Sequence, residues 1–395
     1  MRWNKQLLSA QWKLRMRAYL AVGAVLGVGA CVSLVSPGPG GGNVPVVRGL
    51  YKNGRDQIVR IALATAAPDT AGVARAKEPV VIRAEGNSPY VLWNGKRYRG
   101  DLVITPTDSG LLVVNRLSMD DYLRGVVPLE IGNRTAAEFA AVQAQAVAAR
   151  TYAYKHLNGI RGFDMYSTVQ DQVYGGVDAE KPQSDTAIMT TRDVVVLYAG
   201  QPITTPYHST CGGSTAAVSE VWYDQPDQPY LRPVSDRIPG SDHYYCDSSP
   251  RFSWTQNFDG AGLRAVMEKY LAAYTKAPKA GVGRITDVRE QGRTPSGRMA
   301  ALLVQTDSGA YTLRGNDIRF VLRDPKGAIL NSTYFSFTRE TSGGEVSALT
   351  VNGRGYGHGI GMCQWGAIGR ARAGQNFRTI LETYYPGTTV GRIAG

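Results

Sequence analysis

The chain has 395 residues, of which 43% are hydrophobic and 19% charged, so it is long enough for about two or three domains and too apolar for a disordered protein. Its 46 glycines favour a strand-rich and loop-rich globular protein over a coiled coil. The formal net charge of +12 falls to +7 without the five cations of residues 1–30, and such a basic surface suits an anionic polymer, a membrane or no charged partner at all.

The first 30 residues are typical of a targeting leader. A cationic segment precedes an apolar stretch of 13 residues, which is too short to span a bilayer alone. Small residues lead into Cys31, as in a bacterial lipobox, where the cysteine would be acylated. An ordinary signal peptide and an uncleaved anchor over residues 18–36 are the alternatives. All three place the remaining chain outside the cytoplasm, as a membrane-anchored lipoprotein or a secreted protein, after a flexible linker over residues 31–43.

The body of the chain is predicted to be α+β, dominated by strands, with a few helices flanking the active-site groove. Residues 44–116 contain short runs of valine, isoleucine and leucine separated by turn residues, which is typical of strands. Strand-like runs return over residues 283–351. Helices are predicted for residues 259–275 and for a last segment that is capped by Asn376 and ends at Tyr384.

A helix with a well-defined start is predicted after residue 135. Pro128 disfavours helix at the residue before it, so residues 126–128 are expected to be extended, and Glu130 is expected in a short loop. Thr135 and Glu138 then have the spacing of a capping box, and the helix should end near His156.

Glu130 allows two interpretations. It is either a solvated or capping loop carboxylate, or an acid whose partial burial would raise its pKa and make it a proton donor near neutral pH. On the following helix, Gln143, Arg150 and Tyr154 are expected on a face beside the buried stripe. Arg150 would there orient Glu130 or bind a substrate anion.

Two H-x-x-C units are candidates for a metal site. His208 and Cys211 form one, and His243 and Cys246 repeat the spacing. Two histidines and two cysteines are a suitable tetrahedral donor set for zinc. A Cys211–Cys246 disulfide is the alternative in an oxidising compartment.

The segment Gly353–Gly361 has glycine at every second position. An extended conformation would project Arg354, Tyr356 and His358 from one face and leave the other free for close backbone approach. No phosphate-binding loop motif is present, so nucleotide binding is disfavoured, and no nucleic-acid partner is expected. Cys363 with nearby His358 could form a thiol nucleophile, but no third orienting residue is evident.

Three ordered blocks carry a resemblance to a known family. They read "MDDYLRGVVPLEI…AVQAQAVAARTYA", "YHSTCGGSTAAVSEVW" and "GRGYGHGIGMCQWGA…FRTILETYYPGT". Together they resemble the stage II sporulation protein D family, which also contains the amidase-enhancer (LytB-type) domains. The resemblance spans about residues 117–387 and predicts a peptidoglycan-active domain over residues 117–390.

The resemblance implies a lytic transglycosylase that cleaves peptidoglycan glycan strands, preferably peptide-stripped, into 1,6-anhydro ends. The acid of the family's "VVPxE" motif corresponds to Glu130, and its activity-linked arginine corresponds to Arg150. Zinc binding by some members supports His208, Cys211 and Cys246 as ligands. Many relatives carry serine at the position of Cys363, which is therefore not expected to be essential.

The resemblance also leaves alternatives. A non-catalytic glycan-binding protein that activates a cell-wall amidase is the main one, and a sporulation role and another envelope role both stay open. Contacts with the glycan are expected from one amide, one cation and several aromatic or polar groups: Gln143, Arg354, Tyr356, His358, Gln364 and Trp365.

Overall fold

The computed structural model describes residues 32–34, 45–48, 51–69, 73, 78–86, 88–158 and 160–394. The predicted leader, Cys31 and most of the predicted linker lie outside the described residues. Of that linker only Val32–Leu34 is described, and it forms a short strand. No helix within these ranges combines the length and apolarity needed to cross a membrane.

Twenty strands and eight α-helices occur in the described residues. The strands are β1 Val32–Leu34, β2 Pro45–Arg48, β3 Ile58–Ala67, β4 Val80–Ile82, β5 Val91–Trp93, β6 Lys96–Tyr98, β7 Asp101–Thr107, β8 Gly110–Ser118, β9 Met165–Tyr166, β10 Val194–Tyr198, β11 Gln201–Pro202, β12 Tyr207–His208, β13 Ser253–Asp259, β14 Ile285–Glu290, β15 Ala301–Thr306, β16 Gly309–Arg314, β17 Phe335–Ser342, β18 Glu345–Arg354, β19 Met362–Cys363 and β20 Thr389–Ala394. The helices are α1 Met119–Ile131, α2 Phe139–His156, α3 Pro182–Thr190, α4 Val218–Val221, α5 Gly260–Tyr270, α6 Asp317–Val321, α7 Gln364–Arg372 and α8 Phe377–Tyr384. The predicted strand-dominated α+β class is confirmed.

The chain divides into two compact units. In the described part, the first unit comprises residues up to 206, residues 371–382 and residues from 387, and the second comprises residues 207–370 and 383–386. The sequence predicts a boundary between residues 116 and 117. That position lies inside β8, which pairs with β3 and leads directly into α1, so the β-rich section and the first helices fold as one unit.

The first unit contains two five-stranded sheets and one hairpin. Strand order is β1-β2-β20-β10-β11 in one sheet and β4-β7-β8-β3-β9 in the other, and β5 pairs with β6. Helix α2 lies at the centre of this unit, since every residue from 144 to 151 is buried. It begins as predicted, because Thr135 and Glu138 form a capping box before a short 3-10 turn over Ala136–Glu138.

The second unit contains sheets β13-β18-β17 and β14-β15-β16 and the parallel pair β12-β19. A core of this unit includes Leu263 and Met267 of α5, and this helix lies within the predicted range of residues 259–275. The last predicted helix is also confirmed as α8. Asn376 caps it by accepting hydrogen bonds from the amides of Arg378 and Thr379.

Candidate functional site

Glu130 lies in the last turn of helix α1, so the predictions of an extended segment at 126–128 and of a loop at Glu130 were wrong. Pro128 stands inside the helix, and the helix ends at Gly132, whose amide donates to the Pro128 carbonyl. Val126 and Val127 are fully buried. Their packing outweighs the local preference of a residue that precedes proline.

The Glu130 carboxyl is partly exposed and held by the main chain. The Val173 amide donates to Glu130 Oε1 over 3.2 Å. The Tyr122 hydroxyl is buried nearby and donates to Gln172 over 3.0 Å. Burial, Asp171 and then Glu130 raise the pKa of Tyr122 well above its ordinary value, so this tyrosine remains a neutral hydrogen-bond donor. Glu130 is therefore held at one carboxyl oxygen by the main chain, and the residue is only partly buried.

Arg150 is buried and does not present its guanidinium to solvent, contrary to prediction. Its Nη1 donates to the carbonyls of Thr191 and Val194, and its Nη2 donates to the carbonyl of Ile188. Burial is the main cause that lowers its pKa. Arg150 thus ties α2 to the end of α3 and the start of β10. Gln143, on the same helix, is partly exposed and donates to Thr190.

The glycine-rich segment is not extended beyond β18, which corrects the predicted alternation of faces. Gly355, Gly357, Gly359 and Gly361 all have positive φ, from 70° to 117°. A Cβ on Gly355 would lie 2.8 Å from the Thr210 carbonyl oxygen. The glycines therefore permit both a left-handed backbone and close packing against the neighbouring chain.

His208 and His358 lie together in the second unit, with their ring centroids 5.4 Å apart. His358 Nδ1 accepts from the Ile360 amide, so its Nε2 carries the proton given to the Tyr207 carbonyl. His208 Nδ1 donates to the Ile360 carbonyl. Burial and the charge of Arg298 lower the pKa of His208 to about 3. Burial lowers the pKa of His358 well below its ordinary value, so both rings are neutral at pH 7.

Arg354 lines an open groove of about 700 Å³ in the second unit. Its guanidinium donates to the Tyr334 hydroxyl over 2.9 Å and lies 4.7 Å from the centre of that ring. Trp254 also lines the groove, and its indole nitrogen donates to the Gly355 carbonyl. The groove thus combines cations, aromatic rings and polar groups: Ser253, Trp254, Thr255, Arg293, Tyr334, Phe335, Ser336, Asn352, Gly353 and Arg354.

The other predicted glycan contacts in the second unit lie outside the residues that line this groove. Tyr356 is partly exposed, and the guanidinium of Arg251 lies 4.1 Å from its ring centre. Gln364 is buried, and the amide of the partly exposed Trp365 donates to the Ser209 carbonyl. Their roles in glycan binding stay predictions.

Three cysteines and an aspartate form a buried cluster in the second unit. Cys211, Asp236, Cys246 and Cys363 each offer one donor atom, and these four atoms lie within 4.8 Å of one another. The predicted pair Cys211 and Cys246 is brought together as free thiols, with their Sγ atoms 3.5 Å apart. Sequence analysis missed Asp236 and discounted Cys363.

The two histidines of the H-x-x-C units do not belong to this cluster. His243 is exposed and pairs with Asp247. His208 is buried but turns its Nδ1 to the Ile360 carbonyl. The two H-x-x-C units have the same spacing, but their histidines lie in different surroundings in the fold.

The protonation states within the cluster differ. Burial opposes ionisation of Cys363, but hydrogen bonds from the thiols of Cys211 and Cys246 outweigh burial and lower its pKa to about 5. Burial raises the pKa of Cys211 and of Asp236 well above their ordinary values. Cys363 also stands immediately before α7, where the Gly366 amide donates to its sulfur over 3.2 Å.

Comparison with known proteins matches two segments of the chain to family models. Residues 107–198 match the sequence model of a family described as Stage II sporulation protein, and residues 238–361 match that of a domain of unknown function. An uncharacterised protein of Brachyspira hyodysenteriae is 32% identical over 300 residues, which cover 75% of this chain and 73% of that protein.

Two relatives from Bacillus subtilis carry functional names. Its amidase enhancer is 32% identical over 290 residues, which cover 68% of this chain and 40% of the enhancer. Its stage II sporulation protein D is 28% identical over 294 residues, which cover 70% of this chain and 75% of that protein. More than half of the amidase enhancer thus lies outside the matched part.

Proposed function

This chain belongs to the family of stage II sporulation protein D and the amidase enhancers, and we propose that it is a lytic transglycosylase of peptidoglycan glycan strands. Membership of this family supports a function of the protein in the bacterial cell wall. In this proposal Glu130 is the general acid and base, and the protein acts outside the cytoplasm, held by its leader, by a lipid on Cys31, or released.

The observation that carries the proposal is the placement of Glu130. The carboxyl stands at the end of a buried helix, partly exposed, with one oxygen fixed by the Val173 amide. A glutamate that the main chain holds at one oxygen and that is not buried is positioned to meet a substrate and to exchange a proton with it.

The reaction needs one carboxyl group. Protonated Glu130 gives its proton to the glycosidic oxygen as the bond from muramic C1 to that oxygen breaks. The resulting carboxylate then accepts the proton of the 6-hydroxyl of the same muramic residue, whose oxygen bonds to C1 and closes the 1,6-anhydro ring. No water is consumed, so the second carboxyl group that ordinary glycosidases use is not required.

The groove of the second unit supports a glycan ligand. Arg293 and Arg354 supply positive charge, and Trp254 and Tyr334 supply aromatic surface. Peptide-stripped glycan carries a lactyl carboxylate on each muramic residue, which is a suitable partner for guanidinium groups. Sugar rings present apolar faces that pack on aromatic side chains.

Digestion of purified peptide-stripped glycan strands, followed by mass spectrometry, tests this function. The wild-type protein should produce 1,6-anhydro-muramic ends, and Glu130→Gln should lower the rate by about 10²-fold or more. Asp121→Asn, which removes a partly exposed carboxylate from the same helix, is the matched control and should keep the rate. Reducing ends without the anhydro ring would overturn the mechanism in favour of hydrolysis.

A second function, activation of a cell-wall amidase, is favoured by the relative named amidase enhancer. An activator would give a different result in the same digestion assay. The protein would then bind glycan and stimulate an added amidase, but it would leave the strands uncut. Retained stimulation in Glu130→Gln, with no cleavage by the wild type, would replace the transglycosylase proposal with the activator.

A further inference from the structure

The buried cysteine cluster has the composition of a metal site. Its donors are three sulfurs and one carboxylate oxygen within 4.8 Å of one another, with Cys211 Sγ 3.7 Å from Asp236 Oδ2 and 3.5 Å from Cys246 Sγ. A tetrahedral zinc ion with Zn–S bonds of about 2.3 Å separates its sulfur ligands by about 3.8 Å. The observed spacing therefore needs only small adjustments to surround one ion.

Main-chain amides are directed at the sulfurs. The Cys211 amide donates to Cys363 Sγ over 3.1 Å, and the Gly366 amide donates to the same sulfur. The Gly213 amide donates to Cys211 Sγ over 3.4 Å. Such bonds stabilise negative charge on sulfur, and thiolate is the form that binds metal.

The fold brings these donors together through glycines. Strands β12 and β19 pair in parallel, with His208 opposite Cys363. Cys211 follows β12 by three residues and therefore lies close to Cys363. Helix α7 can then approach closely only because its glycines lack side chains. A Cβ on Gly366 would lie 2.3 Å from Asp236 Oδ2, and one on Gly369 would lie 1.9 Å from the Tyr245 carbonyl oxygen.

Asp236 is oriented as a carboxylate ligand. It is completely buried. The Tyr384 hydroxyl donates to its Oδ1 over 2.6 Å, and Arg370 Nη2 lies 3.2 Å from the same oxygen. Its other oxygen, Oδ2, is the one that faces Cys211. Hydrogen bonds on the outer oxygen of a ligating carboxylate are the usual support of a metal site.

We propose that Cys211, Asp236, Cys246 and Cys363 bind one zinc ion, or a divalent ion of similar preference, in a closed structural site. Sulfur-rich tetrahedral sites select zinc over magnesium or calcium. The four donors leave no open position, so the ion holds the segments that carry them together and takes no part in chemistry. This donor set differs from the predicted set of His208, Cys211, His243 and Cys246 in two of its four members.

The proposal is independent of the transglycosylase activity and is tested without it. Full-length protein is purified under reducing conditions, depleted of metal and given zinc or cobalt alone. We expect about one ion per chain by elemental analysis, and the cobalt form should have thiolate-to-cobalt charge-transfer absorption with the intense visible bands of tetrahedral cobalt. No binding of either ion, or a six-coordinate cobalt spectrum, would overturn the proposal.

Variants distinguish this donor set from the predicted one. Cys363→Ser and Asp236→Asn should each weaken zinc binding by about 10-fold or more. His243→Ala, which removes an exposed histidine with the same H-x-x-C spacing, is the matched control and should bind normally. If Cys363→Ser binds zinc as the wild type does while His243→Ala does not, the assignment fails.

Protection from alkylation covers the case in which a ligand variant does not fold. In the wild-type protein, zinc should protect all three cysteines of the cluster from an alkylating reagent, by at least about 10-fold in rate. A Cys211–Cys246 disulfide found by peptide mapping of the protein from its native compartment, with no bound metal, would contradict the proposal.

Discussion

Glu130 and Cys363 are both acidic groups at the end of a helix, but at opposite ends and in opposite surroundings. Glu130 lies in the last turn of α1, partly exposed, where the helix dipole opposes negative charge. Cys363 lies directly before α7, fully buried, where the dipole and the Gly366 amide favour negative charge. The first arrangement suits a proton donor that meets substrate, and the second suits an anion that holds a cation.

The comparison assigns Glu130 to catalysis and the buried groups to stability. Replacing Arg150, which is buried, is expected to have the largest effect on stability. Arg150→Met should lower the free energy of unfolding by about 3–5 kcal/mol, because the carbonyls of Ile188, Thr191 and Val194 lose their buried donor. Denaturant unfolding followed by circular dichroism measures it. Arg55→Met, which removes an exposed arginine of the same unit, should cost less than about 1 kcal/mol. If Arg150→Met lost glycan cleavage but kept its stability, Arg150 would instead be assigned to substrate binding.

The close approach of α7 gives the next largest effect. Gly369→Ala should destabilise the protein by about 2–3 kcal/mol, since its Cβ would collide with the main-chain carbonyl of Tyr245 and push the helix away. The same displacement should reduce zinc occupancy. Gly240→Ala meets no atom within 4 Å, so only its left-handed φ of 71° contributes, about 1 kcal/mol. Equal losses in the two variants, by thermal unfolding, would refute the collision.

Acid should weaken the second unit through His208. The folded pKa of about 3 is below the unfolded value of 6.5, so the unfolded state takes the proton first and stability falls as pH decreases from 6.5 towards 3. The loss should be about 2 kcal/mol by pH 5. In His208→Phe this part of the pH dependence should vanish, whatever the variant does to stability at pH 7.5. Parallel curves of unfolding free energy against pH would show that His208 titrates normally.

Local signals in the sequence were sufficient for helix starts. The capping box of Thr135 and Glu138 and the cap at Asn376 depend on residues within four positions of one another, and both were predicted correctly. Pro128 shows the limit. Its local preference against helix was overcome by the burial of Val126 and Val127, which no short stretch of sequence reveals.

The site was less predictable because its contacts are distant in sequence. The H-x-x-C spacing led us to group His243 with Cys246, yet the cluster instead takes Cys363 and Asp236 from separate segments. Likewise, alternating glycines predicted an extended segment, while packing against Thr210 and its neighbours imposes positive φ. A motif can thus identify a functional segment without revealing its conformation or its partners.

The smallest expected effect concerns glycan binding by the second unit. Arg354→Ala, made in a Glu130→Gln background so that strands stay intact, should weaken binding of peptide-stripped glycan by about 5–10-fold, or roughly 1 kcal/mol. Arg354 lines the groove beside Tyr334, so its loss removes a positioned cation. Lys279→Ala removes the same charge from an exposed position outside the groove lining and should change binding less than 2-fold. Equal weakening by both variants, in sedimentation assays at fixed salt, would mean that net charge attracts the glycan. Weakening confined to Arg354 would mean that the second unit, which contains the buried cysteine cluster, also binds glycan. The first unit would then supply Glu130 as the acid.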